Sequence, residues 1–288
     1  MPAGLFLGGA PFNVACHLRA AGVPSAMVSR VGADRLGEEI LRRAARFGVA
    51  TDLMQVDAEL PTGFVRVSLD ASGVADYDIV APAAWDAIAP DELLLERAAA
   101  ARAIVFGSLA QRHATSRATI ERLWESDAIM VFDVNLRPPF DDREVVAQSL
   151  KHANIVKVSH TELQQLVEWF DLPTEMRDAA AALAETFNCD TVCVTRAALG
   201  AGLWHANTWA EHPGFEVEVR DTVGAGDAFL AVLLAGLLGG SPASSVLEHA
   251  NLIGAYVATQ YGAVPTDQGA AVAQGSRPAV PQTKARRR

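Results

Sequence analysis

The sequence predicts an α/β protein built on a mainly parallel β-sheet covered by helices on both faces. Three observations carry this. From residue 26 onward, short β-branched runs alternate with amphipathic helical stretches. Polar residues end several of those runs, at Gly107-Ser108, at Asn135 and Arg137, and at Ser159 and Glu162, which is where open α/β sheets bind their ligands. Finally, the charge-free run Phe229–Leu238 reads as a buried helix and follows directly on two glycines and an aspartate. At 288 residues, half of them hydrophobic, the chain is long enough to bury a sizeable core.

Taken in order, the expected strands are Ala26–Val31, Ala103–Phe106, Ile129–Asp133, Ile155–Val158 and Thr191–Thr195. A helix over Asp34–Phe47 has Asp34 as N-cap and Gly48 in the C′ position. Residues 52–84 break the α/β alternation. Val65–Asp70 alternates, Asp70-Ala71-Ser72-Gly73 turns, and Tyr77–Val80 returns, so this is a hairpin, read as an insertion beside the main sheet or an ordinary edge hairpin. Ser241 caps and Pro242 opens a long helix that runs toward Gln260. After Thr266 the chain turns Ala-, Gln-, Gly- and Pro-rich and ends Lys284-Ala285-Arg286-Arg287-Arg288, so residues 1–266 are read as one domain and 267–288 as a disordered tail.

The net charge of −10 argues against a nucleic-acid partner, which needs a basic face. Cys16, Cys189 and Cys193 form no CxxC pair and read as reduced core residues of a cytoplasmic protein. No signal peptide is visible, and the apolar run 228–238 is too short to cross a bilayer.

The run Asp221-Thr222-Val223-Gly224-Ala225-Gly226-Asp227-Ala228-Phe229 holds the chemistry. At a helix start the first N–H groups lack internal partners and the dipole is positive, so the turn attracts anions. Glycines at 224 and 226 let the main chain approach an anion closely. An aspartate there makes sense as a base, taking a proton from a hydroxyl that attacks a phosphoryl group. The plainer reading is a tight turn with Asp227 as N-cap. Two familiar phosphate loops are excluded: Gly32-Ala33-Asp34-Arg35-Leu36-Gly37 is followed by Glu38 where a lysine is needed, and no GxGxxG follows a strand.

With that run in hand, the chain resembles the ribokinase-like (phosphofructokinase B type) carbohydrate kinases, most closely their fructokinase-like members. Gly8-Gly9-Ala10-Pro11-Phe12-Asn13-Val14-Ala15 matches the N-terminal signature, Phe132-Asp133-Val134-Asn135-Leu136-Arg137-Pro138 the mid-chain segment, and Asp221–Phe229 the C-terminal signature. The resemblance implies a Rossmann-like three-layer α/β/α core with a small β lid, here the 52–84 hairpin plus residues near the N-terminus. It also implies transfer of the ATP γ-phosphate to a sugar hydroxyl. On that basis Asp227 is the base and Gly224, Ala225 and Gly226 form the anion hole, while Gly8, Gly9, Asn13 and Arg137 contact the sugar. Arg137 is alternatively a structural partner of Asp133 or Asp141. Thr195, Arg196 and Gly200 belong to the nucleotide loop, in which Ala197 replaces a family glycine, and Asn251 falls where the family contacts the base; a core amide is the other reading of Asn251. Glu162 corresponds to the glutamate that holds a water of the Mg²⁺ shell, or else is a solvated helix-start residue. Asp221, Val223, Val257, Gln260, Gly262 and Thr266 fall where some members bind K⁺.

Family members usually open with a further central strand bearing an acidic sugar-binding residue, and here Gly8-Gly9 comes almost at once. The resemblance therefore implies that about twenty residues are wanting, which would leave two unpaired strand edges. The activity expected is an ATP- and Mg²⁺-dependent sugar kinase acting on fructose. Alternatives are a kinase of 2-keto-3-deoxygluconate, ribose or a nucleoside, or a shortened, catalytically impaired binding protein. The expected partners are small molecules, with a homodimer through the lid, to which Trp85 would contribute unless it is a core aromatic.

Overall fold

A computed structural model describes residues 7–69 and 75–265. The 70–73 turn, Thr266 and the tail fall outside the described residues. The chain divides into two compact units.

The unit containing residues 26–102 and 109–128 opens with strand β1 (Ser29–Gly32), preceded by a lone parallel bridge between Ala26 and Ala50. Regular pairing therefore starts three residues later than expected. β1 pairs in parallel with β2 (Met54–Asp57). Between them lies α2 (Arg35–Arg46), capped as its sequence requires: Asp34 Oδ1 accepts from Gly37 N at 2.8 Å, and Gly48 ends the helix at φ 71°. β3 (Val65–Leu69) and β4 (Ala75–Ile79) form the expected antiparallel hairpin. A 3₁₀ turn (Ala84–Ala87), α3 (Glu92–Ala100), a second 3₁₀ turn (Leu109–Gln111) and α4 (Ala114–Leu123) complete this unit. Trp85, expected at a lid interface or in the core, lies half-buried against the Arg112 guanidinium, 3.9 Å from its ring centroid.

The other unit holds α1 (Ala10–Ala20) and a six-stranded sheet in the order β10-β9-β8-β7-β6-β5. β5 (Ala103–Gly107), β6 (Ile129–Asp133), β7 (Ile155–Ser159) and β8 (Thr191–Thr195) are parallel, as expected. β9 (Ala201–His205) and β10 (Thr208–His212) add an antiparallel hairpin that the sequence reading missed, making the sheet mixed. Among the described residues β5 pairs only with β6.

Side chains alternate across a strand, and this sorts the core. Val131, Ile155, Cys193 and Leu203 face one way and pack with Val14 and Leu18 of α1, with Leu230 and Leu233 of α8 (Ala225–Leu238), and with Leu247 and Ala250 of α9 (Ala243–Ala258). Their alternates Phe132, Val156, Val192 and Val194 are fully buried on the opposite face. That face is covered by α5 (Arg143–His152), α6 (His160–Phe170) and α7 (Met176–Phe187), which pack on β6, β7 and β8. The layers are helix, sheet, helix.

The start of α9 corrects one expectation. Pro242 is itself the N-cap, in extended conformation (φ −57°, ψ 139°), so Ser241 sits one residue too early to cap, and no side chain does so. The helix ends at Ala258, with Thr259 as C-cap.

Candidate active site

α8 begins where Gly224 adopts the left-handed conformation at φ 80°. Its Cα has no room for a side chain: a Cβ there would lie 2.6 Å from the Cα, Cβ and carbonyl oxygen of Ala263. The glycine expected to make room for an anion is thus required by the 263 loop. That loop is also held from α1, since His17 Nε2 lies 2.9 Å from Ala263 O. Gly226 has an ordinary φ, and a Cβ on it would meet only Lys157 Nζ at 3.4 Å. Gly224→Ala is therefore expected to cost about 2–4 kcal/mol, summing left-handed strain and overpacking. Gly226→Ala is expected to leave stability nearly unchanged. Urea denaturation midpoints of the two variants check this, and equal losses would refute the contact.

Counting from the Gly224 N-cap, Asp227 is the third helical residue, so the alternative that it caps the helix does not hold. Ala225 N donates to Thr222 O at 3.2 Å, while the N–H groups of Gly226 and Asp227 have no protein acceptor among the described residues. These two donors and the helix dipole make the turn attractive to an anion. Asp227 Oδ2 instead accepts from Asn13 Nδ2 at 2.7 Å. Asn13 is only 3% exposed, and its own Oδ1 is buried without a hydrogen-bond partner. The helix start that presents it is written in Gly9-Ala10-Pro11: Gly9 takes φ 113° as N-cap and Pro follows within the first turn. Gly8 and Gly9 are exposed beside it.

Beneath the start of α8 lie two charges: Asp133, expected only as an alternative partner of Arg137, and Lys157, to which the sequence assigned no role. Asp133 and Lys157 are register partners on β6 and β7, and Lys157 Nζ donates to Asp133 Oδ1 at 2.9 Å. They are 5% and 7% exposed. Burial pushes the Asp133 carboxyl up to about 6, against the pull of Lys157. Burial would depress the Lys157 ammonium, but the Asp133 and Glu162 carboxylates hold it above its ordinary value. Burial likewise raises Asp227, opposed by the Asn13 hydrogen bond and by the charges of Lys157 and Arg137. Arg137 is exposed and bonds the carbonyl of its neighbour Leu136. Among the described residues it pairs with neither Asp133 nor Asp141; the ion-pair partner of Asp133 is Lys157. A lysine within the apolar strand Ile155-Val156-Lys157-Val158 was the available signal.

Glu162 sits at the start of α6 in a capping box with Ser159: Ser159 N donates to Oε2 at 2.7 Å, and Oε1 accepts from Leu136 N at 2.8 Å. It is half-buried and braces the loop that carries Arg137. Asp221 accepts from Val223 N at 3.0 Å and Gly262 N at 3.1 Å, drawing its loop against the end of α9, where Gln260 N donates to Val257 O at 2.9 Å. Among the described residues no cluster of three His, Cys, Asp or Glu side chains forms a metal-binding group.

The Thr195–Gly200 loop leaves β8 through Arg196, whose Nη2 lies 2.6 Å from Glu211 Oε1 on β10. Ala197, in place of the family glycine, keeps a left-handed φ of 50°. At Gly200 (φ 80°) a Cβ would lie 2.0 Å from His212 O. An open cavity of about 390 Å³ is lined by Arg196, Leu199, Glu211 and Pro213. Asn251 is buried on α9 with its Nδ2 donating to Leu247 O at 2.8 Å, the geometry of a core amide.

A carboxylate beside free N–H donors at a helix start, in a three-layer α/β/α core, is an arrangement suited to a phosphotransferase with an alcohol acceptor. Residues 4–268 match the pfkB family carbohydrate kinases, and the chain belongs to that family. It is similar to the fructokinase of Klebsiella pneumoniae, 31% identical over 80% of this chain and 76% of that one. It is also similar to the aminoimidazole riboside kinase of Salmonella typhimurium, 30% identical over 89% of this chain and 83% of that one. The crystal structure of a fructokinase with bound ATP from Xylella fastidiosa superposes with a TM-score of 0.81 at 26% identity, covering 94% and 91% of the two chains. The protein is an ATP-dependent sugar kinase with the ribokinase-like fold and small-molecule substrates. No helix among the described residues is long and apolar enough to cross a membrane.

Proposed function

We propose that this kinase phosphorylates fructose, with Asp227 taking the proton from the attacking hydroxyl. The observation that carries the reading is Asp227 at the start of α8, held by Asn13 and flanked by the N–H groups of Gly226 and Asp227. Fructokinases among the relatives support the ketohexose.

In this reading Gly8, Gly9 and Asn13 meet the sugar, the unpartnered Asn13 Oδ1 receiving one of its hydroxyls. Arg137 contacts the sugar or the moving phosphate. The α8 N–H groups stabilise the charge on the transferring group, which travels nearly in line between the two oxygens. The nucleotide lies along Thr195, Arg196 and Gly200, beside the cavity at Leu199, while Asn251, a core amide, is not counted among its contacts. Mg²⁺, when bound, screens the phosphate charge. Glu162, whose oxygens already accept two backbone N–H groups, fits a hold on one of its waters better than a direct bond. Asp221 and the carbonyls of Val223, Val257, Gln260 and Gly262 fit a K⁺ ion beside the turn. The β3–β4 hairpin serves as lid of a single kinase domain over residues 1–266 and as the surface of a homodimer. A cytoplasmic setting suits the three free cysteines, all buried, whose thiols burial pushes up to about 12.

The test is ADP release by the purified chain with ATP, Mg²⁺ and a panel of fructose, ribose, 2-keto-3-deoxygluconate and aminoimidazole riboside. Fructose is expected to show the highest kcat/KM. A higher value for any other acceptor moves the assignment to that sugar.

A further inference from the structure

We propose that Lys157, held in place by Asp133, is a positioning residue for the transfer: it seats a buried positive charge beneath the start of α8 and thereby sets the pH at which Asp227 becomes a proton acceptor. The proposal rests on the reading of Asp227 as the base.

The sheet and its alternation place this charge. Asp133 and Lys157 share the side-chain face of Val131, Ile155 and Cys193, the face that α1 and α8 cover. Asp133 ends β6 and Lys157 lies beside it at the middle of β7, under the turn that starts α8. There Lys157 Nζ is 3.4 Å from the point where a Cβ on Gly226 would sit. The helix interior beyond is apolar, and Ala228, Leu230, Ala231 and Leu233 are fully buried. A lone ammonium cannot be housed so deeply, and Asp133 Oδ1 supplies its partner. The pair is incomplete from the other side, because Asp133 Oδ2 is buried with no hydrogen-bond partner.

Among the described residues, the charged groups that act on Asp227 or on its Lys157 neighbour are Lys157 from β7, Asp133 and Arg137 from β6 and its loop, and Glu162 from α6; α1 contributes the Asn13 amide and, one turn further on, the buried His17 ring, which is engaged at Ala263 O. Asp221, in the loop before α8, is occupied by Val223 N and Gly262 N. α9 packs on the start of α8 through the apolar Ile253 and Val257. Asp133, Glu162 and Asp227 are thus three carboxylates around one buried cation. Arg137 is exposed, so solvent screens it, while Lys157 is shielded from solvent. An ammonium there favours the ionised form of Asp227 and opposes the effect of burial. It does so without touching the substrate, leaving the Gly226 and Asp227 N–H groups for the phosphate.

The experiment is the pH dependence of kcat/KM in Lys157→Met, Lys157→Arg and Asp133→Asn, with the Kd for ATP measured alongside. In Lys157→Met the acid limb is expected to move up by about one pH unit, so that on the limb kcat/KM falls about tenfold at a given pH. Activity recovers as pH rises, and ATP affinity stays close to wild type. Lys157→Arg keeps the charge and holds the limb near its original place. Asp133→Asn removes the partner that keeps the buried ammonium charged, so its limb is expected to move up as in Lys157→Met; it serves even if Lys157→Met does not fold. Acid limbs that stay where wild type has them in Asp133→Asn, or in folded Lys157→Met, overturn the proposal. If instead Asp227→Asn keeps wild-type turnover, the base assignment itself is lost, and the two failures are told apart.

Discussion

Asp227→Asn is expected to lower kcat by about 10²–10⁴-fold while leaving the Kd for ATP little changed. The substitution is nearly isosteric, and the amide oxygen still accepts from Asn13 Nδ2, so the 2.7 Å link between α8 and α1 survives. The N–H groups of Gly226 and Asp227 and the dipole of α8 remain, so the phosphate still has its donors. What is lost is the only atom pair at this position able to take a proton from the acceptor hydroxyl. Asn13→Ala separates this role from positioning: it removes the hydrogen bond that holds the carboxylate but leaves the base. Single-turnover kinetics with saturating ATP and sugar check the effect. A kcat within about tenfold of wild type in Asp227→Asn would remove Asp227 from the base role.

Asp86→Ala is expected to destabilise the unit that carries the β3–β4 hairpin by about 3–5 kcal/mol. Asp86 receives two hydrogen bonds from Arg112, Nε to Oδ1 at 2.7 Å and Nη2 to Oδ2 at 2.8 Å, and the side chains are 6% and 4% exposed. The same guanidinium bonds Val80 O at 3.0 Å, one residue past β4, and lies over the Trp85 ring. Asp86 also accepts from Ala83 N at 3.0 Å. Removing the carboxylate leaves a buried cation without its counter-charge, which is the most damaging way to break such a pair. Asp86→Ala combined with Arg112→Met, which removes both charges, is expected to lose less than Asp86→Ala alone. Urea denaturation of the three proteins is the measurement, and an unchanged midpoint for Asp86→Ala would contradict the burial of this pair.

Much of the parallel half of the fold is legible because each element declares itself locally. Ile129–Asp133 and Thr191–Thr195 are strands at their expected bounds, since β-branched residues are closed off by polar ones. α2 begins at its aspartate cap and ends at its left-handed glycine, both features of single residues. The β9–β10 hairpin is not legible in that way. Ala201–His205 mixes Ala, Gly, Leu, Trp and His, and its strand character comes from pairing with β8. Asp227 and Asn13 are both readable from signatures, but their 2.7 Å contact joins residues 214 positions apart. Gly224 shows the limit from the other side. Its glycine is plain in the sequence, yet the reason for it is Ala263, brought in by the loop after α9.

By itself the sequence determined the α/β class, the family, the carboxylate at 227 and the glycine turn before it. These follow from short-range rules: side-chain period, capping chemistry, and glycine where φ is positive. Only the tertiary structure decided that Lys157 lies buried under that turn with Asp133 as its partner. Strands 24 residues apart acquire neighbours through sheet register, and whether a charge is solvated or housed in the core depends on which helices close over it.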